Sequence, residues 1–290
     1  MTFTAADASQ LFREPPERFI ETGGGAVAYR RVGSGPDVIF SHGWPASGAT
    51  WRTVLPLLAP HVTCHIVDHL GAGASRFDRS TNVSLDGHIQ ALRDVVDELE
   101  LETFAVVGHD SGAMIARHAF AGDERVRGWG LVATEQPPKP NWRFSSFLLI
   151  RYIPKFEKLL GTVFGMPRLR RNKFIGGDVF HDRDLLAGEF DEFYLSPLAS
   201  SAERQWAAGH FFRTFDMAMF SGLAECHRKM TGPVAMVWGE KDPFFPVSSA
   251  RAVLDDFAGG ATLEVIPDGK LFVHEEFPEP TARALLTTIS

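Results

Sequence analysis

The stretch "FAVVGHDSGAMIARHAF", residues 104–120, contains an abrupt change of pattern. An apolar run stops at Gly108, and a helical pattern begins near Ser111. Between them stands Asp110, with Gly108 two positions before it and Gly112 two positions after it. A strand that turns directly into a helix brings two backbones close together, so small residues are needed at both flanking positions. The pattern predicts a tight strand–nucleophile–helix turn that presents Asp110 outward.

Two alternatives to a nucleophilic Asp110 exist. Ser111 is a rival nucleophile, but its flanking residues are His109 and Ala113, and His109 is too bulky for such a turn. Asp110 could also simply cap the following helix. A carboxylate, with an ordinary pKa of about 3.9, is ionised near neutral pH and attacks carbon without a base. Water can cleave the resulting ester, so Asp110 predicts displacement at a saturated carbon, with a halide or an epoxide oxygen leaving.

Composition narrows the class of protein. The chain has 290 residues, 44% hydrophobic and 22% charged, which is typical of a globular protein. A net charge of −7 argues against binding to nucleic acid or to an anionic membrane. The distant Cys64 and Cys226 are expected to be buried free thiols, and no metal or cofactor is predicted. Without a signal-peptide pattern or an apolar run of about 20 residues, the sequence favours a soluble cytoplasmic protein.

The chain divides into two kinds of pattern. Short apolar strands alternate with helical patterns over residues 1–136 and again over residues 229–290. This alternation predicts an α/β core with a mostly parallel sheet covered by helices on both faces. Residues 137–228 carry no clear strand and are rich in phenylalanine, so they are predicted to form a helical insertion. Most of these phenylalanines are expected to pack inside that insertion.

Five motifs carry a family resemblance. They are "SHGWP" (41–45), "DHLGAGAS" (68–75), "GHDSG" (108–112), "WGEKDPFFP" (238–246) and "LFVHEEFPE" (271–279). In this order they resemble the α/β-hydrolase superfamily over almost the whole chain. More narrowly, they are similar to the branch with an aspartate nucleophile, the epoxide hydrolases and haloalkane dehalogenases. The resemblance implies an α/β-hydrolase fold, with the insertion at 137–228 as a lid over the active site.

The resemblance also implies partners for Asp110. The backbone N–H groups of Trp44 and Ser111 match the family's oxyanion hole, whose donors stabilise the anion formed when water attacks the ester. Asp242 matches the acid that orients a catalytic histidine. Glu135 occupies the alternative position for that acid, after the preceding strand.

The histidine departs from the family pattern. An ungapped alignment of the last motif puts Leu271 in the histidine slot, and the nearest histidine is His274, three residues later. His274 is the predicted base, provided that its ring turns back toward Asp110. Without a base, the ester would persist and the protein would react once or only bind its ligand.

The substrate class follows from the groups that would assist the leaving atom. Dehalogenases need N–H donors for the halide, and the indole of Trp44 could supply one. Epoxide opening needs an acid, and Tyr152 and Tyr194 lie in the predicted lid. The sequence favours an epoxide hydrolase acting on small apolar substrates, with a haloalkane dehalogenase or a ligand-binding protein as alternatives. The residues expected to contact substrate are His42, Trp44, His109, Tyr152, Tyr194 and Leu271.

Overall fold

An eight-stranded sheet forms the centre of the computed structural model, which describes residues 3–137, 140–173 and 177–290. The strands are β1 (Arg18–Thr22), β2 (Gly25–Gly33), β3 (Asp37–Ser41), β4 (Thr63–Asp68), β5 (Phe104–His109), β6 (Val126–Val132), β7 (Val234–Gly239) and β8 (Ala261–Ile266). Their order across the sheet is β1-β2-β4-β3-β5-β6-β7-β8. Strand β2 is antiparallel to both of its neighbours, and all other pairs are parallel. The predicted mostly parallel sheet is confirmed.

Helices cover the sheet and fill the connections. They are α1 (Ala5–Arg13), α2 (Leu55–Leu58), α3 (Leu85–Glu98), α4 (Ser111–Phe120), α5 (Trp142–Leu148), α6 (Phe156–Gly165), α7 (Pro167–Arg170), α8 (Ser196–Ser200), α9 (Ala202–Arg213), α10 (Ala218–Lys229), α11 (Val247–Arg251), α12 (Val273–Glu276) and α13 (Pro278–Ile289). Shorter helical turns lie at Gly48–Trp51, Leu149–Tyr152, Arg183–Leu186, Asp191–Leu195 and Leu254–Asp256. None of the helices in the described ranges is long and apolar enough to cross a membrane.

The central strands are buried on both faces. Every residue of β5 and β7 is buried, as the continuous apolar runs in the sequence require for strands covered by helices on both sides. Helix α3 begins at Ser84, whose hydroxyl accepts a hydrogen bond from the N–H of Gly87 at 3.3 Å. Because β3, β5, β6 and β7 are parallel, their carboxyl ends meet at one edge of the sheet, where sites form in open α/β folds.

The segment between β6 and β7 differs from the core. Its described residues form helices and turns, and no strand is found among them. Arg52 of the core contacts this segment: its Nε donates to Glu189 at 2.9 Å, while its Nη1 donates to Glu275 at 2.7 Å. The division into a core (1–136 and 229–290) and a lid (137–228) stays a prediction.

Candidate active site

Asp110 sits at the turn between β5 and α4. Its φ of 50° and ψ of −138° are unusual for a residue with a side chain. A Cβ at Gly108 would lie 2.4 Å from Cα of Ala113, and one at Gly112 would lie 2.2 Å from the carbonyl oxygen of His42. No larger side chain fits at either glycine, which is the packing reason for the sequence pattern.

The carboxyl group of Asp110 is buried and faces a cavity. Only 8% of the residue is exposed, and its Oδ1 accepts a hydrogen bond from the N–H of Ser111 at 2.6 Å. Burial raises the pKa of Asp110 well above its usual value, and the nearby carboxyl groups of Glu135 and Asp242 raise it further. The expectation of a carboxylate ionised at its ordinary pKa is therefore corrected: this side chain holds its proton to a higher pH.

Glu135 lies beside Asp110, at the end of the neighbouring strand. The residue is fully buried, and it lines the same cavity as Asp110. The Thr134 hydroxyl lies 2.8 Å from Oε2 of Glu135 and 2.9 Å from the main-chain carbonyl oxygen of Asp110. Burial raises the pKa of Glu135, and the positive charge of Arg117 partly offsets this. Two neighbouring carboxyl groups in a buried site favour a state in which one of them carries a proton.

Arg117 is a buried cation behind this pair. Its Nη2 donates to the carbonyl oxygen of Glu135 at 2.7 Å and to the Thr134 hydroxyl at 2.9 Å. Burial lowers the pKa of Arg117 to about 10, so the side chain is still charged at neutral pH. Sequence reasoning missed Arg117, although it follows Asp110 by seven residues, or about two helical turns, which places both on one side of α4.

Asp242 follows β7 and is also buried. Its Oδ1 accepts hydrogen bonds from the N–H groups of Phe244 at 2.8 Å and Phe245 at 3.0 Å. Its Oδ2 is buried without a donor among the described residues. Burial raises the pKa of Asp242 to about 7. Asp242 is the acid predicted to orient a histidine, and none of the histidines in the described ranges is hydrogen-bonded to it.

The structure corrects the prediction for His274. Its ring is fully buried against Trp51 and His109, with ring centroids 4.9 and 4.4 Å away. Its Nε2 bonds to the hydroxyl of Thr50 at 2.7 Å, and the residue does not line the cavity that holds Asp110. Leu271 lines that cavity instead. His274 lies in α12, bonded to Thr50 and outside the cavity lining, so its contacts do not support the predicted role as the base.

The predicted oxyanion-hole donors are both near Asp110, but both are occupied. The N–H of Ser111 donates to Oδ1 of Asp110, and the N–H of Trp44 donates to the Ser111 hydroxyl at 3.0 Å. The indole N–H of Trp44 donates to the carbonyl oxygen of Ala208 at 3.2 Å. The indole is therefore not free to receive a leaving halide.

The predicted substrate contacts separate into two groups. Trp44, Tyr194 and Leu271 line the cavity at Asp110. The Tyr194 hydroxyl accepts a hydrogen bond from Nη1 of Arg52 at 3.1 Å.

The remaining three predicted contacts lie elsewhere. His42 lines a smaller adjoining cavity, where its Nε2 accepts a hydrogen bond from the main-chain N–H of His69 at 2.8 Å. Tyr152 is 68% exposed at the surface, and His109 is buried with its Nε2 bonded to the carbonyl oxygen of Leu271. The structure thus corrects the prediction that Tyr152 and His109 contact substrate in this cavity.

The cavity wall is dominated by phenylalanine. The cavity contains about 930 Å³ of space outside the protein atoms, including its open mouth. Most phenylalanines of the insertion are buried, as expected, and seven of them also line the cavity. They are Phe144, Phe147, Phe164, Phe190, Phe211, Phe212 and Phe215. A cavity of this size and lining suits a small apolar molecule. Within the described ranges, no cluster of three or more histidine, cysteine or acidic residues is arranged to hold a metal.

Comparisons with known proteins agree with this geometry. Residues 36–278 match the family described as the alpha/beta hydrolase fold. The chain is 24% identical over 282 residues to haloalkane dehalogenase 2 of Mycobacterium tuberculosis, covering 93% of both chains. It is 35% identical to the soluble epoxide hydrolase of a Corynebacterium species over 102 residues, a third of each chain.

Among solved structures, the epoxide hydrolase CorEH without ligand superimposes with a TM-score of 0.78 and 20% identity. The match covers 95% of this chain and 98% of that one. The chain therefore belongs to the α/β-hydrolase superfamily, in the branch similar to haloalkane dehalogenases and epoxide hydrolases.

Proposed function

We propose that this protein is a hydrolase in which Asp110 attacks a small apolar epoxide and forms an alkyl ester that water then cleaves. One observation carries the proposal: a glycine-bracketed turn directs the Asp110 carboxyl group into a cavity walled by phenylalanine. An apolar wall excludes water from the nucleophile and favours a substrate without charge.

The leaving group distinguishes an epoxide from a haloalkane. A departing halide is stabilised by N–H donors, and the indole of Trp44 already donates to Ala208. An opening epoxide instead needs a proton on its oxygen. Tyr152 lies at the surface, and the hydroxyl of Tyr194 is bonded to Arg52. Glu135, whose pKa is raised by burial, is the remaining acidic side chain in the cavity lining besides Asp110, and it supports the epoxide.

Two other functions compete with this proposal. The similarity to haloalkane dehalogenase 2 favours removal of a halide. The leucine at position 271, with His274 turned away, favours a ligand-binding protein that does not turn over.

A single experiment separates the three functions. The protein is incubated in ¹⁸O-water with styrene oxide or with 1-bromobutane, and released product and the mass of the Asp110 peptide are measured. We expect diol from the epoxide, little halide release, and ¹⁸O in the Asp110 carboxyl group, since water attacks the ester carbonyl. Diol without label on Asp110 would rule out the ester. Reversible binding of both compounds without product would favour the ligand-binding function.

A further inference from the structure

The proposed ester requires a base that activates water, and the usual position holds Leu271. The cavity at Asp110 is lined mainly by apolar groups. Apart from Asp110 itself, its polar side chains are those of Ser111, Glu135, Arg170 and Tyr194, together with the indole of Trp44. Very few groups in the cavity are therefore available to act as the base.

Four of these five groups are unsuited to take a proton. The indole of Trp44 offers only an N–H donor. Arg170 is a cation whose guanidinium group binds the carboxylate of Asp191. The Tyr194 hydroxyl accepts a hydrogen bond from Arg52, and burial raises its pKa well above the ordinary value. The Ser111 hydroxyl accepts the N–H of Trp44 and has no basic partner that would help it. Glu135 is the remaining acidic side chain in this lining, and the Thr134 hydroxyl lies against both its Oε2 and the main-chain oxygen of Asp110.

The surroundings of Glu135 suit a group that exchanges a proton. The side chain is fully buried, and its Oε1 receives no hydrogen bond from the N–H and O–H donors of the described residues. Arg117 bonds to the main chain of Glu135 and not to its carboxyl group. The carboxyl group is thus near a positive charge but remains free to gain or lose a proton.

We propose that Glu135 replaces the missing histidine, acting as the acid when the epoxide opens and as the base when the ester is hydrolysed. This inference rests on the proposed function of Asp110 as the nucleophile.

The proton balance of the two steps closes. In the first step, ionised Asp110 forms a bond to an epoxide carbon, the carbon–oxygen bond breaks, and the Glu135 proton moves to the departing oxygen. Glu135 is then a carboxylate. In the second step it takes a proton from water, and the hydroxide oxygen adds to the ester carbonyl. The intermediate expels the alkoxide, which takes the Glu135 proton, and Asp110 is left as a carboxylic acid. Transfer of that proton to Glu135 restores the starting pair.

The balance of charge supports a starting state in which Asp110 and Glu135 together hold one proton. Asp110 and Glu135 with one shared proton carry one negative charge, and Arg117 carries one positive charge behind them. A fully ionised pair would bury a second negative charge, which is strongly unfavourable in an apolar site. Arg170, the other cation that lines the cavity, already binds the carboxylate of Asp191. Asp242 is not a competing base, because it lies outside the cavity lining and its Oδ1 is held by two backbone N–H groups.

The test is the fate of the ester in Glu135→Gln. The folded variant and the wild type are mixed with styrene oxide, and intact mass and diol are followed in time. We expect the wild type to release diol without accumulating an adduct. The amide of Glu135→Gln keeps an N–H donor for the departing oxygen but cannot take a proton from water. The variant should therefore gain the mass of one substrate molecule on Asp110, more slowly than the wild type reacts, and release diol about 10² to 10⁴ times more slowly. Glu240→Gln, the same change at an exposed carboxyl, is the matched control and should behave as the wild type.

Other outcomes would overturn the inference. Equal diol release by Glu135→Gln and the wild type, without adduct, would exclude Glu135 while leaving Asp110 as the nucleophile. A stable adduct on the wild type would show that the site has no base. Neither adduct nor diol from any folded variant would overturn the proposed function itself. Glu135→Asp, which keeps a shorter carboxyl group, should recover part of the diol release if Glu135 moves a proton and none if it only fills space.

Discussion

The ends of β6 and β7 carry two buried carboxyl groups with different surroundings. Glu135, after β6, lines the cavity and contacts Asp110, whereas Asp242, after β7, lies outside the lining and binds two backbone N–H groups. Each has one oxygen without a donor among the described residues. The difference indicates that a strand end fixes where an acid is placed, while its neighbours decide what the acid can do.

The largest expected effect comes from replacing Asp110, the carboxyl group beside Glu135. Asp110→Asn removes the nucleophile, so diol formation should fall by at least about 10⁴-fold. Steady-state turnover of styrene oxide measures this loss, with an unchanged circular dichroism spectrum as the control for folding. Retention of more than a tenth of the activity would mean that Asp110 is not the nucleophile.

The second effect is a bell-shaped pH dependence. The proposed reaction needs one proton on the Asp110–Glu135 pair, because protonation of both carboxyls removes the nucleophile and ionisation of both removes the acid. Both pKa values are raised, so kcat/KM should rise above the usual carboxyl range and fall again at higher pH, by about tenfold per pH unit on each limb. A profile of kcat/KM that stays flat from pH 5 to pH 9 would contradict a shared proton.

A smaller effect should follow if Asp242 regains a histidine. Leu271→His places an imidazole at the cavity wall, where it could donate to the unpartnered Oδ2 of Asp242. In the Glu135→Gln background, this change should speed decay of the Asp110 adduct by about tenfold or more, as a second base becomes available. The adduct lifetime is read by intact mass spectrometry. An unchanged lifetime would mean that a histidine at position 271 does not lie between Asp242 and the ester.

The smallest effect concerns stability. The pKa of Asp242 is about 7 in the folded protein and about 3.9 in the unfolded chain. The folded state keeps a proton that the unfolded chain releases, so stability present below pH 4 is lost as pH rises toward 7. Asp242→Asn removes this pH dependence. The free energy of unfolding of the variant minus that of the wild type should therefore increase by about 2 to 3 kcal/mol from pH 5 to pH 8. Urea unfolding of both proteins at the two pH values measures this increase. An equal difference between variant and wild type at both pH values would refute the raised pKa of Asp242.

Local patterns predicted the parts of the molecule that depend on neighbouring residues in the chain. The sheet and the turn at Asp110 follow from apolar runs and from two glycines that no larger residue can replace. Long-range packing determined the rest. The direction of His274 depends on where α12 begins, and the surface position of Tyr152 depends on how the insertion folds. The contact between Asp110 and Glu135 joins two strand ends that are 25 residues apart, so no local motif contains it.

The backbone at these strand ends has a consequence for evolution and design. Asp110 and Ala133 both have positive φ, at 50° and 35°, although neither is a glycine. Such conformations cost on the order of 1 to 3 kcal/mol each and persist only where the surroundings enforce them. A glycine at position 110 would relax the turn but remove the carboxyl group. The sequence thus retains a less stable residue at the position of the proposed nucleophile, and a screen for thermostability alone would select against the proposed activity.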